Sequence, residues 1–187
     1  MRLADLLTWY RIAAAPVVVA MALLGWRDAF YILLMVSFAS DLIDGPVARM
    51  LRQTSARGAR LDTWADGMTV VVGLIGIYIF ESEALRPQAG WILAFLQSYA
   101  AAAVVCLFKF ARLPSYHLYT SKAAAALSGV FVLWLYLFGF SQGMLILTVC
   151  VALIANTESV LVTLRLKAFR TNLPSLLVLK RVEKRGG

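Results

Sequence analysis

The sequence predicts an all-α, polytopic membrane protein with six transmembrane helices and both termini in the cytoplasm. Three observations support this fold class: 61% of the 187 residues are hydrophobic, only 15% are charged, and the mean hydropathy is +0.79. Soluble domains are roughly 45–50% apolar and about 25% charged, and one core of this size cannot bury so many apolar side chains. The scarcity of charge also excludes a disordered chain, and the two cysteines exclude a disulfide-rich scaffold.

Six continuous apolar segments divide the chain, each close to the roughly 20 residues that a membrane-spanning helix needs. They cover approximately residues 6–26, 29–51, 59–80, 88–111, 119–140 and 143–165. Charged or turn-forming residues separate them, and no segment shows the ten-residue alternation of β-barrel strands. The first segment has features of a signal peptide, but its cleavage-like Ala20-Met21-Ala22 lies inside the apolar run. We therefore interpret this segment as a retained first helix.

The basic residues are distributed unevenly between the two ends of these helices. Of the 18 Lys and Arg residues, only Arg27 and Arg86 lie in the first and third connections, and the fifth connection has none. The positive-inside rule places the remaining sixteen, with both termini, in the cytoplasm. We predict a membrane domain over residues 1–170 and a basic tail over 171–187, which either contacts anionic lipids or only orients the chain. Membrane lipids are expected partners, and nucleic acid is not.

Four acids lie within the second and third predicted helices, where ionisable residues are costly and usually functional. Asp41 and Asp44 are three residues apart, and Asp62 and Asp66 are four apart, so each pair shares a helical face. The short connection makes the helices antiparallel neighbours, which brings the pairs together near the cytoplasmic interface. Carboxylates this close cannot all stay ionised without cations, and hard oxygen ligands favour Mg²⁺ or Mn²⁺. Two such ions form a standard device for displacement at phosphorus.

Small and basic residues accompany the acids. Gly45 and Ala48 leave space for a ligand close to the backbone, and Arg49 offers a guanidinium suited to phosphate. In an alternative interpretation, the acids form an interfacial salt-bridge cluster with the nearby arginines, which are Arg49, Arg52, Arg57 and Arg60. Two acid pairs on adjacent helices, with glycine and alanine between them, favour the metal site.

Residues 41–66 match the pattern D-x2-D-G-x2-A-R-x8-G-x3-D-x3-D at all eight specified positions, which are Asp41, Asp44, Gly45, Ala48, Arg49, Gly58, Asp62 and Asp66. In this motif the chain resembles the CDP-alcohol phosphotransferases, membrane enzymes that make phospholipids. The six-helix plan with cytoplasmic termini fits that family over nearly the whole chain. The segment from Asp5 to Arg11 also looks like the element with which many bacterial members begin, which is Asn-x-x-Thr-x-x-x-Arg or close to it; here two residues separate Thr8 from Arg11. Asp5 replaces the usual Asn, which leaves Thr8 and Arg11 as the better candidates in that element.

The resemblance implies that an alcohol hydroxyl attacks the phosphorus of a CDP-linked donor, usually CDP-diacylglycerol, and releases CMP. Four residues then look like ligands of two Mg²⁺ or Mn²⁺ ions: Asp41, Asp44, Asp62 and Asp66. Asp66 is also the candidate general base. The donor side would be lined by Thr8, Gly45, Ala48, Arg49 and Gly58. The family also implies a homodimer in a bacterial plasma membrane, similar to a phosphatidylglycerophosphate synthase, with its active site at the cytoplasmic face.

A second basic group bears on the identity of the acceptor alcohol. Lys109 and Arg112 close the fourth segment, and Lys122 opens the fifth. Such a group suits a phosphate-bearing alcohol, and we expect glycerol 3-phosphate; snorkelling and orientation signals explain the same residues without a ligand. Inositol phosphate, serine and phosphatidylglycerol remain alternative acceptors. His117 is interpreted as a polar loop residue, with a role as a base or in contact with the acceptor as the alternative. Glu158 has three alternative roles: it pairs with a basic residue, borders the acceptor pocket or belongs to a subunit contact.

A different class of function, a cation- or proton-coupled transporter, also places acids in membrane helices. It predicts acids near the bilayer midplane on several helices, often in repeated halves of the chain. The four aspartates instead gather at one interface of one helix pair, and no repeat is detectable. The sequence therefore favours the enzyme.

Overall fold

The computed structural model describes residues 3–50, 56–116, 118–169, 173 and 175–176, and it describes their side chains except at 3–7, 44–49, 56–57 and 59–60. The helices are α1 Leu3–Leu23, α2 Arg27–Met50, α3 Ala56–Leu85, α4 Ala89–Phe110, α5 Tyr119–Phe138 and α6 Gln142–Arg165, with a 3-10 turn at Arg86–Gln88. The described part of the chain contains no strand. The prediction of an all-helical chain is confirmed, and each predicted segment corresponds to one helix.

Helix α3 is longer at both ends than the predicted segment 59–80. It runs from Ala56 to Leu85, and Glu81 alone inside it has non-helical backbone angles, with φ −122° and ψ 22°. The predicted break at residues 81–87 therefore consists of a local kink at Glu81 followed by the 3-10 turn, where Pro87 removes a backbone donor.

Two glycines follow the ends of helices with positive φ angles, a backbone conformation that other residues adopt only with strain. Gly25 follows α1 with φ +75°, and Gly139 follows α5 with φ +82°. Around Gly25, the amide of Trp26 donates to Met21 O at 2.9 Å and the amide of Gly25 donates to Ala22 O at 3.1 Å. This is the Schellman arrangement, which satisfies the last carbonyls of a helix and accounts for the tight connection to α2.

Three stretches of the described chain are long and apolar enough to cross a membrane: Leu61–Phe110, Tyr119–Phe138 and Gln142–Arg165. The first holds 50 residues and includes both α4 and most of α3. A shorter apolar helix covers Thr8–Leu23. These lengths support a membrane protein, while the number of spans, the side of the termini and the domain boundary at residue 170 stay predictions.

The helices form two compact units. The first unit comprises residues 1–88 and 128–141, and within it α1 packs against both α2 and α3. The second unit comprises residues 89–127 and 142–187, and within it α4 packs against α6. The predicted aspartates belong to the first unit, and the predicted acceptor-side basic residues belong to the second.

An aromatic cluster joins α2, α3 and the last part of α5 in the first unit. Phe30 and Tyr31 are fully buried, with ring centroids 5.1 Å apart. Phe80 lies 5.5 Å from the Phe30 centroid, and Tyr136 lies 5.5 Å from the Tyr31 centroid. Gly76 makes the packing possible, because a Cβ at that position would overlap the Phe30 ring. Small residues permit such close approach between membrane helices.

Beside this cluster, an ion pair links the start of α2 to the kink of α3. Arg27 Nη2 lies 3.1 Å from Glu81 Oε1, and the guanidinium stacks over the Tyr31 ring at 4.9 Å. At a helical rise of about 1.5 Å per residue, Arg27 is roughly 20 Å along α2 from Asp41. The two ends of the first unit therefore each carry a separate charged cluster.

The second unit has a core of five buried residues: Cys106, Tyr116, Leu118, Val162 and Leu166. Partly buried side chains from α4 and from beyond α6 pack against this core: Phe110, Phe169, Leu173 and Leu176. Phe169, Leu173 and Leu176, which follow α6 in the sequence, therefore pack at the end of this unit that is predicted to face the cytoplasm.

Candidate active site

Three helices of the first unit deliver the residues of the candidate site. Asp41 comes from α2, Asp62 and Asp66 come from α3, and Arg11 comes from α1. The four-residue spacing of Asp62 and Asp66 keeps both on the face of α3 that meets α1 and α2. The predicted approach of acids from the second and third helices is found for these three aspartates.

Arg11 lies at the centre of the carboxylates. Its Nη1 donates to Asp41 Oδ1 at 2.7 Å and to Asp66 Oδ1 at 2.6 Å, and its Nη2 donates to Asp62 Oδ1. The guanidinium is planar and presents several donors in a fixed fork, so one arginine can bind three acids in this way. Within the described residues, the three aspartates thus form an ionic cluster with a cation from α1; the side chains of the four arginines in the alternative interpretation lie outside those residues.

The exposed fraction of the side chains in this cluster increases from Arg11 to the three aspartates. The Arg11 side chain is 1% exposed, whereas the side chains of Asp62, Asp41 and Asp66 are 17%, 26% and 44% exposed. A buried arginine without partners would be very costly, so its charge is matched by acids whose other side is open. The site therefore has a cationic floor and an anionic rim.

The three carboxylates can hold a metal ion. One oxygen of each, from Asp41, Asp62 and Asp66, lies within 4.8 Å of the others. Ligands of Mg²⁺ lie at about 2.0–2.1 Å, so oxygens bound to one ion are at most about 4.2 Å apart. A pair of oxygens at the 4.8 Å limit would have to approach by at least about 0.6 Å to share one ion. The donors are the hard oxygens that such ions prefer.

Other residues of the two sequence elements are placed in part. Thr8 is buried and lies one turn before Arg11 on α1, so it shares the face that meets the aspartates. Gly58 is half-buried in the first turn of α3. The remaining candidate side chains lie outside the described residues, and their predicted roles are unchanged: Asp5, Asp44, Gly45, Ala48 and Arg49. The arginines at 52, 57 and 60 are outside as well.

Sequence reasoning assigned Arg11 only to the amino-terminal element and missed it as the counter-charge of the aspartates. A signal for this role is present, since an arginine in an apolar helix is costly unless it is paired. Arg11 lies eight residues into the 21-residue helix α1, just before its apolar run. The four motif aspartates on the two following helices were the available partners in the sequence.

The predicted acceptor-side residues all lie in the second unit. Lys109 Nζ donates to Leu164 O at 2.7 Å, at the carboxyl end of α6. Arg112 stacks over the Phe169 ring at 5.4 Å, and Lys122 lies 5.8 Å from the Tyr119 ring. Cations at helix ends and over aromatic faces need no ligand to explain them. Their phosphate-binding role therefore stays a prediction.

Glu158 has a defined set of partners. Its Oε2 accepts a hydrogen bond from Thr120 Oγ1 at 2.5 Å, and its Oε1 accepts from the Leu176 amide at 2.9 Å and from Ser175 Oγ at 3.2 Å. None of the partners found for it in the described chain is a basic residue. The carboxylate ties α5 and the segment after α6 to α6. His117 lies outside the described residues.

Comparison with known proteins adds to this geometry. A model of the CDP-alcohol phosphatidyltransferase family matches residues 1–170. A curated relative, the CDP-diacylglycerol–glycerol-3-phosphate 3-phosphatidyltransferase of Cereibacter sphaeroides, is 40% identical over 75 residues, which are 38% of this chain and 34% of the relative. The chain thus matches about a third of that relative's length. No solved structure matches the chain.

The family model spans all six helices and every residue of the motif over 41–66. The resemblance drawn from the motif is therefore confirmed: the chain belongs to the CDP-alcohol phosphatidyltransferase family.

Proposed function

We propose that this protein transfers a phosphatidyl group from CDP-diacylglycerol to glycerol 3-phosphate and releases CMP, as a step in phospholipid biosynthesis. The observation that carries the proposal is the carboxylate cluster of Asp41, Asp62 and Asp66, whose oxygens lie within 4.8 Å at the motif positions. Membership of the family supplies the reaction class. The glycerol 3-phosphate acceptor is supported by the name of the partial relative.

The described carboxylates, with Asp44 of the same motif, would hold two Mg²⁺ or Mn²⁺ ions. When bound, such ions neutralise a pyrophosphate, stabilise a phosphate leaving group and lower the pKa of an attacking hydroxyl. The protein contributes a preformed arrangement of ligands from α2 and α3. Gly45, Ala48, Arg49, Gly58 and Thr8 would border the cytidine diphosphate part of the donor.

Asp66 is the proposed general base for the acceptor hydroxyl. Its side chain is 44% exposed, against 17% for Asp62 and 26% for Asp41, so it is the most accessible of the three. A general base must come within hydrogen-bond reach of the proton that it removes. The most open carboxylate of the rim is therefore the one that a polar acceptor from the aqueous phase can reach.

The acceptor phosphate would be bound by Lys109, Arg112 and Lys122. All three side chains are exposed, and Lys109 uses one of its three N–H donors on Leu164 O. Arginine and lysine are the usual ligands of a phosphate group. Inositol phosphate, serine and phosphatidylglycerol are the alternative acceptors for the same chemistry.

The proposed setting is a bacterial inner membrane, with six spans, cytoplasmic termini and a homodimeric enzyme. Three long apolar stretches support the membrane location. Sixteen of the 18 basic residues on one predicted side support the orientation. A site at the cytoplasmic interface would receive the lipid donor from the bilayer and the polar acceptor from the cytoplasm.

The test is CMP release by the purified protein from CDP-diacylglycerol, with Mg²⁺ or Mn²⁺ and a panel of alcohols. We expect release with glycerol 3-phosphate, its loss in EDTA, and a fall of about 10²–10⁴-fold in Asp66→Asn, the range for removal of a general base. Asp28→Asn is the matched control, because Asp28 is an exposed acid at the start of α2, distant from the site.

Two results would contradict separate parts of the proposal. Equal activity of Asp66→Asn and Asp28→Asn would exclude Asp66 as the base. Release with serine or inositol phosphate, but none with glycerol 3-phosphate, would reassign the acceptor and leave the donor chemistry in place.

A further inference from the structure

We propose that Arg11 is a permanent positioning residue of the metal centre, which holds three aspartates by their inner oxygens while their outer oxygens bind the ions. This inference rests on the proposed function, since it concerns the metal site of that activity. Helix α1 supplies none of the proposed metal ligands. In this proposal it instead fixes the orientation of the ligands on α2 and α3.

The division of carboxylate oxygens is the first observation. Arg11 donates to Oδ1 of Asp41, to Oδ1 of Asp66 and to Oδ1 of Asp62. Within the described part of the chain, no donor is found for Oδ2 of any of the three. Each carboxylate therefore presents one oxygen to the arginine and keeps a second one for another cation.

The direction of approach is the second observation. The Arg11 side chain is 1% exposed, while those of the carboxylates are between 17% and 44% exposed. The guanidinium thus reaches the acids from the packed interior between α1, α2 and α3. An ion from the aqueous side would meet the opposite face of the same carboxylates.

Arg11 could alternatively be a place-holder that an arriving metal ion displaces. A displaced guanidinium would have to enter a packed apolar bundle without its acids, at a large desolvation cost. Residues one or two turns away on the same face of α1 are themselves buried, namely Thr8, Ala15 and Val18. Retention of Arg11 beneath the ligands avoids this cost.

Retention also explains why the residue is arginine. Groups that hydrogen-bond to metal ligands fix their orientation, and their loss typically weakens metal binding about 10–100-fold. A lysine ammonium keeps the positive charge, but it lacks the rigid fork that reaches three oxygens from two nitrogens. The geometry, beyond the charge, is therefore what Arg11 contributes.

The experiment measures Mn²⁺ affinity by electron paramagnetic resonance on the purified full chain, in the absence of substrates. The variants are Arg11→Lys and Arg11→Met, and the matched control is Arg27→Met. Arg27 is in an ion pair with Glu81 in the same unit, but at the other end of α2 from Asp41. Helical content by circular dichroism and elution as a single species establish that each variant is folded.

We expect Mn²⁺ binding to weaken about 10–100-fold in Arg11→Lys and Arg11→Met, and to be unchanged in Arg27→Met. A place-holder predicts the reverse, because its removal frees the carboxylates: Arg11→Met would bind Mn²⁺ as tightly as the wild type or more tightly. If Arg11→Met does not fold, Arg11→Lys decides, since wild-type affinity in that variant would overturn the positioning role.

The same measurement separates this inference from the proposed function. An absence of Mn²⁺ binding to the wild-type protein would contradict the metal centre itself. Wild-type binding that the Arg11 variants leave unchanged would contradict only the role of Arg11.

Discussion

Substitution of Gly76 by alanine tests how closely α2 and α3 are packed. A Cβ at Gly76 would overlap the Phe30 ring, and that ring is fully buried between Tyr31 and Phe80. Overpacking of this kind costs about 1–3 kcal/mol, whereas the gain in helix propensity from glycine to alanine is at most about 1 kcal/mol. We therefore expect Gly76→Ala to lower the free energy of unfolding by about 1–2 kcal/mol.

Gly73, three residues earlier on the same helix, is the matched control. A Cβ there would lie 3.6 Å from the Leu34 methyl carbons, which is ordinary van der Waals contact. Gly73→Ala is expected to be neutral or to stabilise by up to about 1 kcal/mol. The two variants should thus differ by about 2 kcal/mol, or about 4–8 °C in Tm for a chain of this size.

The assay is thermal unfolding in detergent, followed by helical circular dichroism at one protein concentration. The double variant Gly76→Ala/Phe30→Leu tests the cause, because a smaller side chain at position 30 removes the overlap. Its loss should be smaller than the sum of the two single losses, as expected for residues in contact. Equal stability of Gly76→Ala and Gly73→Ala would refute the close packing of α3 on Phe30.

Two further predictions concern the second unit. Glu158→Leu removes the carboxylate that accepts from the Leu176 amide, so hydrogen exchange at that amide should become about tenfold faster, consistent with loss of a charged hydrogen bond worth about 1.5–3 kcal/mol. Thr157→Ala is the control, because the hydrogen bond found for Thr157 Oγ1 among the described residues is to Leu153 O within α6. Equal exchange in both variants would contradict the hydrogen bond between Glu158 and the Leu176 amide. The Tyr116 hydroxyl lies 2.8 Å from Thr163 Oγ1, and burial raises its pKa. The hydroxyl therefore holds its proton more tightly in the folded protein than in the unfolded chain. Stability from this group should be complete below about pH 10 and fall at higher pH, and the decline in Tm between pH 9 and pH 11 should be smaller in Tyr116→Phe.

The helices were predictable because each is a continuous apolar run of the length a membrane requires. The ends of α3 were not. Residues 81–85 are Glu-Ser-Glu-Ala-Leu, and their charges predict a break between helices. Glutamate, alanine and leucine are nevertheless good helix formers, and the helix continues through them after the kink at Glu81.

The candidate site was predictable to the extent that it depends on helical spacing. The four-residue interval of Asp62 and Asp66, with the short connection from the helix of Asp41, predicts that these three acids face one another without knowledge of the third helix involved. The role of Arg11 depends on which helix packs into the groove between α2 and α3, and this is a tertiary choice that no local pattern encodes. The partners of Glu158 were inaccessible for the same reason, since Leu176 is 18 residues away and bound through its backbone amide.

The position of Arg11 has a consequence for biogenesis. Its partners follow it in the chain by 30, 51 and 55 residues. At a synthesis rate of about 5–20 residues per second, Arg11 joins the chain roughly 3–11 s before Asp66 does. During that interval the arginine has none of these three partners, so its burial in an apolar environment would be costly. If the first three helices span the membrane as the sequence predicts, the burial of this arginine depends on residues made after it, so the candidate site also bears on the order in which the chain assembles.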